Sequence, residues 1–583
     1  MVLTTLKGLA KSASFTQYLP PDERIPTIID ARKAPEQLLR VSRLVNGCFT
    51  WIRPEVRQES RLVAVSEPAM KDLGLTADEA ETELFKQTFS GEYVFEDESS
   101  GVYPWAQAYS GWQFGSWAGQ LGDGRAISLF EGTNPDTSKR YEVQLKGAGL
   151  TPYSRFADGK AVLRSSIREF LGSEAVNSLG IPTSRALALV ALPQTKARRE
   201  MTETCAVVTR LAETFVRIGT FDLLGDRKKR STVRELADYC IKEVFGGENK
   251  LVAPKNDSES ASTVYNNRYV QMYREIVRRN ARTTALCQVY GFMNGVLNTD
   301  NTSIYGLSID YGPFSFMDTF ESRFTPNHDD AMGRYSYKNT PTIIWWNLVR
   351  LGETLGELLG AGAKVDETSF VEKAPEAEEL NKIFEVAEKV IEDIGEEYKE
   401  VFLETYNHKM AERLGLKSFR AADHDNLYTT LLDLLEECEL EYNAFFRKLG
   451  GFPLFGPYTK ADLERFFPRV QSFAPRKSIK DGVQDVAAWL EKYKSRLEIE
   501  GSVNDIERQK KMDKVNPKFI LKNWVMDEVI NDAKIGNYEL LEKVKQMALQ
   551  PFNETWGYDK EFEDKLTGES PKLERDSQCS CSS

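Results

Sequence analysis

The stretch from Phe292 to Asp318, FMNGVLNTDNTSIYGLSIDYGPFSFMD, constrains the local fold more than any other part of the chain. Two short β-prone runs flank Gly306, and antiparallel pairing about this glycine would bring Asp300 and Asn301 next to Asp310. Three oxygen-bearing side chains would then converge, which suits a hard cation such as Mg²⁺ that takes few protein ligands. Asn, Asp and Gly are also common turn residues, so this stretch alone leaves a metal site and a plain turn as alternatives.

A segment rich in glycine and aromatic residues precedes this stretch, between Gly101 and Thr151. Gly122 and Gly124 permit a tight turn before an apolar strand, and glycine-lined backbone can approach polyphosphate closely. Arg125 adds a fixed cation next to this turn. The spacing does not match the Walker pattern GxxxxGK[ST], so plain turn glycines remain the alternative.

A strand and a helix follow, and both carry candidate charged residues. Lys146 ends an alternating strand, where it could reach nucleotide phosphates or belong to a solvated face. The sequence SSIREFLGSEAVNSLGIP predicts a helix with Ser166 as its N-cap. Glu169 is then either the capping-box partner of Ser166 or the ion-pair partner of Lys146. Helical phase instead favours Glu174 as the buried acid, so the two glutamates remain alternatives.

The segment from Val207 to Leu224 places Arg210 and Arg217 two helical turns apart if it is helical. Paired guanidinium groups suit phosphate oxygens, and a surface salt-bridge face is the alternative. Further along, Pro375 to Tyr406 and Asn426 to Leu449 are predicted to be acidic amphipathic helices.

The composition limits the possible functions. The 583 residues carry a net charge of -12, which argues against general nucleic-acid binding because that requires a basic surface. No apolar run approaches the length of a bilayer crossing. With only three histidines, a His-rich zinc site or a Ser/His/Asp triad has little material. The chemistry is therefore expected to depend on Asp, Lys, Arg and a metal ion.

The cysteines and the amino terminus bear on the cellular compartment. The seven cysteines are an odd number and most are scattered singly, which argues against a secreted disulfide scaffold. Residues 1–21 lack acidic side chains and mix lysines, hydroxyls and apolar residues. This composition is a weak organelle-targeting signal, with an ordinary amino terminus as the alternative.

Four segments resemble the selenoprotein O family: SGWQFGSWAGQLGDGRA, VQLKGAGLTPYSRFADGKAVLRSSIREFLGSEA, NGVLNTDNTSIYGLSIDYGPFSFMD and NPKFILKNW. The resemblance implies an α+β, protein-kinase-like two-lobed fold, with a mixed N-lobe and a mostly helical C-lobe extended by extra helices. It also implies that ATP binds in a flipped orientation with Mg²⁺, and that AMP is transferred to Ser, Thr or Tyr hydroxyls of proteins with release of pyrophosphate.

The resemblance divides the chain into five regions. These are an N-terminal extension (1–95), an N-lobe with the Gly-rich nucleotide loop (96–204), a C-lobe core with the catalytic and metal motifs (205–365), additional C-lobe helices (366–500) and a C-terminal segment with a cysteine-containing tail (501–583).

The resemblance also implies roles for single residues. Asp300 resembles the family's proposed proton acceptor, and Asn301 and Asp310 resemble its magnesium ligands. The family spacing selects Glu169 over Glu174 as the partner of Lys146. The implied nucleotide-binding residues are Gly122, Gly124, Arg125, Lys146, Asp158, Gly159, Glu169, Arg210, Arg217 and Asp310.

The chain departs from the family pattern at four positions. Trp112 and Asn294 stand where many members have histidine, and Pro326 stands where bacterial members have a cysteine that can pair with a carboxyl-terminal one. Cys581 occupies the position at which some animal members carry selenocysteine. A thiol is a weaker nucleophile there, since free cysteine has a pKa of about 8.5.

The leading hypothesis is an ATP- and Mg²⁺-dependent protein adenylyltransferase whose partners are ATP and hydroxyl-bearing proteins. A protein kinase acting on the γ-phosphate and a non-enzymatic, redox-responsive ATP-binding scaffold are the alternatives. The tail with Cys579 and Cys581 is expected to control redox response or partner access and to lie outside the catalytic centre. The expected location is the mitochondrion, with the cytoplasm as the alternative.

Overall fold

The computed structural model describes residues 2–57, 59–256, 258–259 and 262–580. About 47% of the chain is helical and 14% is in strands, so the protein has a mixed α and β fold. The strands are β1 (Ala10–Ser12), β2 (Phe49–Trp51), β3 (Arg61–Val65), β4 (Trp105–Gln107), β5 (Ser110–Gln113), β6 (Ser116–Gln120), β7 (Ala126–Thr133), β8 (Arg140–Lys146), β9 (Ala161–Val162), β10 (Arg185–Arg198), β11 (Thr202–Ala212), β12 (Phe292–Met293) and β13 (Ser315–Phe316).

A large antiparallel sheet dominates the amino-terminal half. Its strands run in the order β2-β4-β7-β8-β11-β10-β3, with β1 added to β7 and β9 added to β11. Both end strands of this order come from the first 65 residues, because β2 pairs with β4 and β3 pairs with β10. The apolar residues of β7, β8, β10 and β11 form a buried core, as expected for strands rich in Val, Leu, Ile and Ala.

The sheet register places two candidate cations on one face. Lys146 pairs with Val208, and Gln144 pairs with Arg210. Since successive strand residues point to opposite faces, Lys146 and Arg210 project from the same face of the sheet. The Leu163–Ser178 helix packs against β10 and β11.

Helices make up most of the remaining chain. Their bounds are Ser14–Tyr18, Ile28–Lys33, Glu36–Arg40, Glu67–Leu73, Glu83–Ser90, Leu163–Ser178, Ile218–Asp226, Arg230–Tyr239, Arg268–Tyr290, Thr340–Thr354, Gly356–Gly360, Thr368–Glu372, Ala377–Arg413, Ala421–Asp423, Thr430–Glu437, Tyr442–Gly450, Lys460–Glu464, Ile479–Ile499, Asp505–Met512, Asn523–Lys534, Glu539–Leu549 and Lys560–Thr567. The acidic amphipathic segments predicted from the sequence are helical over most of their length. None of the helices in the described ranges combines the length and the apolar character needed to cross a membrane.

The stretch from Phe292 to Asp318 is a looped hairpin with two points of pairing. At its base β12 pairs with β13, and near its tip Thr302 forms an antiparallel bridge with Ser308. Gly306 turns the chain with a positive φ of 77°. The predicted turn about this glycine is therefore present, although only a single bridge forms where two paired strands were expected.

Two local predictions were wrong. The segment from Val207 to Leu224 is not one helix, because Arg210 lies in β11 and Arg217 immediately precedes the Ile218–Asp226 helix. Pairing with β8 and β10 outweighs the helical pattern there. Ser166 is not the N-cap either, since the helix begins at Leu163.

The described residues near both ends of the chain pack against the fold. Leu6 and Phe15 are fully buried, so the described part of the first 21 residues contributes to the core. In the tail, Cys579 N–H donates to the carbonyl of Pro326 at 2.9 Å, and His328 N–H donates to the carbonyl of Cys579 at 2.9 Å. Cys579 is half-buried with a free thiol, and Cys581 lies outside the described residues.

Candidate active site

A cleft of about 460 Å³ lies between the Gly-rich turn and the looped hairpin. Its lining includes most of the nucleotide and metal candidates: Gly122, Gly124, Arg125, Lys146, Asp158, Arg210, Asp300, Asn301 and Asp310. Gly159, Glu169 and Arg217 are outside this lining. The last two reach the cleft through ion pairs.

Asp310 is the point on which the cations of the cleft converge. Arg210 Nη1 lies 2.5 Å and Lys146 Nζ 3.3 Å from Asp310 Oδ1, while Arg217 Nη1 lies 2.8 Å from Oδ2. Burial alone would raise the pKa of Asp310, but these three positive charges hold it well below its usual range. Asp310 also adopts a positive φ of 58°, an uncommon conformation for a residue with a side chain.

Glu169 forms ion pairs with two of these cations, Lys146 and Arg210. Its carboxylate lies 2.6 Å from Lys146 Nζ and 3.2 Å from Arg210 Nη1. The ion pair between Lys146 and Glu169 is thus present, whereas Glu174 pairs with Arg185 at 2.7 Å. Both glutamates are buried, so helical phase could not separate them.

Arg217 reaches the same point from the start of a helix. Its Nη1 also donates to the backbone carbonyl of Asp300 at 2.8 Å, and its guanidinium carbon lies 4.4 Å from the centroid of the Tyr109 ring. One arginine therefore ties together the two acidic positions of the looped hairpin.

Asp300 faces the cleft from a short 3-10 helix, Thr299–Asn301, within the looped hairpin. Its Oδ2 accepts a hydrogen bond of 3.0 Å from Gln113 Nε2, and its Oδ1 is buried with no hydrogen-bond partner. Burial raises the pKa of Asp300 to about 6, partly offset by Gln113 and Arg217. At neutral pH this side chain is a carboxylate with one oxygen available to accept a proton.

The candidate metal ligands offer oxygen atoms from an amide and a carboxylate. Within the described ranges no group of three or more His, Cys, Asp or Glu side chains is arranged to hold a metal ion. Asn301 donates its amide N–H to the carbonyl of Val296 at 3.2 Å, which leaves its amide oxygen as a candidate ligand for a metal ion. Oxygen donors from Asn301 and Asp310 fit Mg²⁺, because this ion takes few protein ligands and keeps several water and phosphate ligands.

The Gly-rich turn forms one wall of the cleft. Gly122 has a positive φ of 138°, and a Cβ there would meet the Tyr153 ring at 2.5 Å, so the backbone can lie this close only without a side chain. Gly124 approaches the backbone of Tyr153, and Arg125 is exposed at the cleft.

Asp158 is committed to an ion pair that the sequence did not suggest. Arg199 Nη1 and Nη2 lie 2.9 Å and 3.0 Å from its two carboxylate oxygens, and Arg199 also lines the cleft. Gly159 packs against the backbone of Gly149 and Leu150 behind this pair.

Three of the four family departures lie among the described residues, where each makes a hydrogen bond. Trp112 N–H donates to Thr299 Oγ1 at 2.9 Å, and Asn294 donates to the carbonyl of Ile309 at 3.1 Å. Pro326 accepts the backbone bond from the tail, and Cys581 is not described. Gln113, Tyr109 and Arg199 were missed from the sequence because no local pattern separates them from other polar strand residues.

The chain belongs to a family of enzymes that transfer nucleotides. The family model that matches is described as "Protein adenylyltransferase SelO" and covers residues 38–549. The selenoprotein O resemblance is therefore confirmed.

Similar proteins support the same family over nearly the whole chain. A protein of Schizosaccharomyces pombe named "Protein adenylyltransferase SelO, mitochondrial" is 45% identical over 99% of both chains. A protein of Saccharomyces cerevisiae with the same name is 33% identical over 95% of this chain and 94% of its own. A "Protein nucleotidyltransferase YdiU" of Bordetella petrii is 36% identical over 88% of this chain and 92% of its own.

Proposed function

We propose that this chain is a protein adenylyltransferase that moves AMP from ATP to Ser, Thr or Tyr hydroxyls of proteins and releases pyrophosphate. Family membership supports the reaction class. The observation that carries the assignment is the convergence of Lys146, Arg210 and Arg217 on Asp310, facing Asp300 across the same cleft.

The cations act by holding the polyphosphate. Lys146, Arg210 and Arg217 bind phosphate oxygens, and Glu169 fixes the direction of Lys146 and Arg210. Arg125 adds a cation at the Gly-rich wall. With the phosphates held inward in this way, the α-phosphorus is left accessible to attack in line with the pyrophosphate leaving group.

Asp300 acts as the proton acceptor. The acceptor hydroxyl oxygen forms a bond to the α-phosphorus, its proton moves to Asp300 Oδ1, and the bond between the α-phosphorus and the bridging oxygen breaks with its electron pair leaving on pyrophosphate. A pKa of about 6 suits this role, because the carboxylate is ionised at neutral pH yet remains basic.

Asn301 and Asp310 would hold Mg²⁺. When bound, this ion neutralises charge on the phosphate oxygens. Asp310 would hold the ion with the carboxylate that Arg210 and Arg217 contact here.

The wider architecture in this proposal is protein-kinase-like. The sheet with the Gly-rich turn (96–204) acts as the N-lobe, residues 205–365 as the catalytic core, and residues 366–500 and 501–583 as added helices and tail, with 1–95 as an extension. The names of both yeast relatives include "mitochondrial", and this chain is proposed to act there too.

The test uses ATP labelled at the α or the γ phosphate, incubated with the protein and Mg²⁺. Label retained from the α position, with pyrophosphate released, is the expected result. Asp300→Asn should abolish transfer of the α-label and retain ATP binding. Asp226→Asn, a control at an exposed position, should retain both label transfer and ATP binding. Label from the γ position alone would make the protein a kinase, and tight ATP binding with no label would make it a scaffold.

A further inference from the structure

Three tryptophans from separate segments meet next to the cleft. The Trp112 ring on β5 lies 5.4 Å from the Trp117 ring on β6 and 6.0 Å from the Trp346 ring on the Thr340–Thr354 helix. All three are only partly buried. A partly exposed aromatic cluster is uncommon on a surface that binds nothing, because aromatic side chains gain most from being covered.

Two arginines flank these rings. Arg334 lies 5.0 Å and Arg350 5.1 Å from the Trp346 ring centroid, both within range of a cation–π contact. Arg350 pairs with Glu353 at 2.5 Å. Arg334 has no carboxylate partner among the described residues, and its buried Nε lacks a hydrogen bond. We call the set Trp112, Trp117, Trp346, Arg334 and Arg350 the tryptophan platform.

The platform is fixed relative to the candidate proton acceptor. Within β5, Trp112 N–H donates to Thr299 Oγ1 at 2.9 Å, and the next residue, Gln113, donates to Asp300 at 3.0 Å. Gly111 precedes them, and a Cβ at this position would collide with the Asp300 carboxylate. Because Trp112 and Gln113 are successive residues of β5, the Trp112 ring points to the face opposite Asp300, and the platform meets the cleft at the tip of the β5–β6 hairpin, where Arg334 lies beside Gly115 and Phe114 lines the cleft.

The charge of the platform is opposite to that of the whole chain. The protein carries a net charge of -12, so an acidic segment is repelled by most of its surface. Arg334 offers local positive charge, because a cation–π contact orients a guanidinium group and leaves its charge available to a partner. Charge complementarity of this kind selects partners and sets their register.

We propose that the tryptophan platform binds the protein substrate through an acidic segment next to the acceptor hydroxyl. This inference rests on the proposed function and names its substrate class. The tryptophan rings cover the side chains of an extended segment, and Arg334 pairs with a carboxylate of that segment. Tryptophan and arginine are the side chains that most often dominate binding energy in protein interfaces.

The test compares three synthetic peptides that share a central tyrosine and differ only in its neighbours, which are glutamate, alanine or lysine. AMP transfer is followed with α-labelled ATP. The wild-type protein should use the glutamate peptide with a kcat/KM at least about tenfold above that of the lysine peptide. Raising the salt concentration should shrink this ratio, because exposed charge pairs are screened.

Two variants connect the preference to the platform. Arg334→Glu should reverse the order of the peptides and leave the KM for ATP unchanged. Lys338→Glu makes the same charge change at an exposed position of the same segment and should leave the order as it is. Trp346→Ala should raise the KM for all three peptides, with thermal unfolding as a check that the variant folds.

The outcomes separate this inference from the proposed function. Equal use of the three peptides, or a preference that survives Arg334→Glu, overturns the inference alone. Absence of α-label from every peptide and from the protein itself overturns both. If Trp346→Ala dissociates a dimer in sedimentation and leaves peptide use unchanged, the platform binds a second copy of the chain and the inference is also overturned.

Discussion

Two buried glutamates of the Leu163–Ser178 helix, Glu169 and Glu174, belong to two different networks of polar and charged side chains. Glu169 joins the cleft network, and Glu174 joins the edge network at the start of β10. The cleft network consists of Lys146, Glu169, Arg210, Arg217 and Asp310, and the edge network consists of Ser66, Asp72, Glu174 and Arg185.

The two networks differ in their charges and in what they adjoin. Glu174 accepts from Arg185 Nε at 2.9 Å, from Ala186 N–H at 3.0 Å and from Ser66 at 2.5 Å, so its donors are fixed parts of the sheet and its edge. In the cleft network three cations contact the carboxylates of Glu169 and Asp310, and the carboxylate of Asp300 lines the same cleft, whereas in the edge network one arginine contacts two carboxylates. Burial alone thus says little about role, and it is the connection to the cleft that distinguishes Glu169 from Glu174.

The largest effect should come from Asp310→Asn. Removing the carboxylate shared by three cations should lower AMP transfer at least about 1000-fold, since charge on the phosphates loses its stabilisation. ATP binding should persist, because the cations remain and one competing negative charge is gone. Label transfer and equilibrium ATP binding measure the two effects. Asp72→Asn in the edge network is the control, and full turnover by Asp310→Asn at saturating Mg²⁺ would contradict the assignment.

Matched amide substitutions at the two glutamates test the comparison directly. Glu169→Gln should lower transfer roughly 100-fold because Lys146 and Arg210 lose their alignment. Glu174→Gln should instead reduce the free energy of unfolding by roughly 3–5 kcal/mol, as expected when one partner of a buried ion pair is removed, with normal kcat in the folded fraction. Thermal unfolding and steady-state kinetics distinguish these outcomes. A kcat defect in Glu174→Gln would mean that the networks are not separate.

The pH dependence of AMP transfer should follow the ionisation of Asp300 in the cleft and should not depend on the edge network. Since burial raises the pKa of Asp300 to about 6, the basic form is lost as the pH falls, and kcat/KM should drop about tenfold per pH unit below that value. Gln113→Ala removes a hydrogen bond that favours the carboxylate, so it should move the acid limb to higher pH. Ser116→Ala on β6 is the control. An acid limb near pH 4 in the wild type would contradict the buried proton acceptor.

The smallest effect on AMP transfer is expected from deletion of the tail. The described residues of the tail contact neither network. Deleting residues 579–583 removes the two backbone hydrogen bonds with Pro326 and His328. Transfer in reducing buffer should stay within about twofold, because each such bond contributes only about 1 kcal/mol to local stability. Activity measurements before and after deletion provide the test, and a large loss would place the tail in the catalytic centre.

Local sequence patterns predicted the parts of the cleft that depend on neighbours in sequence. The turn at Gly306, the strand before Lys146 and the glycine turn before β7 each depend on a few adjacent residues. These elements bring Asp300 and Asp310 to one cleft, as the hairpin argument required.

The remaining parts depend on contacts between distant segments. Arg210 and Arg217 were grouped by helical spacing, yet they converge from a strand and a helix start because β11 is held between β8 and β10. Arg199 reaches Asp158 across 41 residues, and Gln113 reaches Asp300 across 187. No periodicity in the chain encodes contacts of this kind, so they could not be read from the sequence.

The edge strands of the large sheet have a consequence for how the protein is made. Ala64 on β3 pairs with Leu189, and Val65 accepts a bond of 2.8 Å from Lys545 near the other end of the chain. Strand β3 therefore waits for β10, which begins only at Arg185, and an unpaired edge of this kind is prone to aggregation. Such long-range pairing also folds slowly. All strands of the sheet lie within the first 212 residues, so the sheet itself can form during synthesis, whereas the Lys545 contact with its edge forms only once nearly the whole chain has been made.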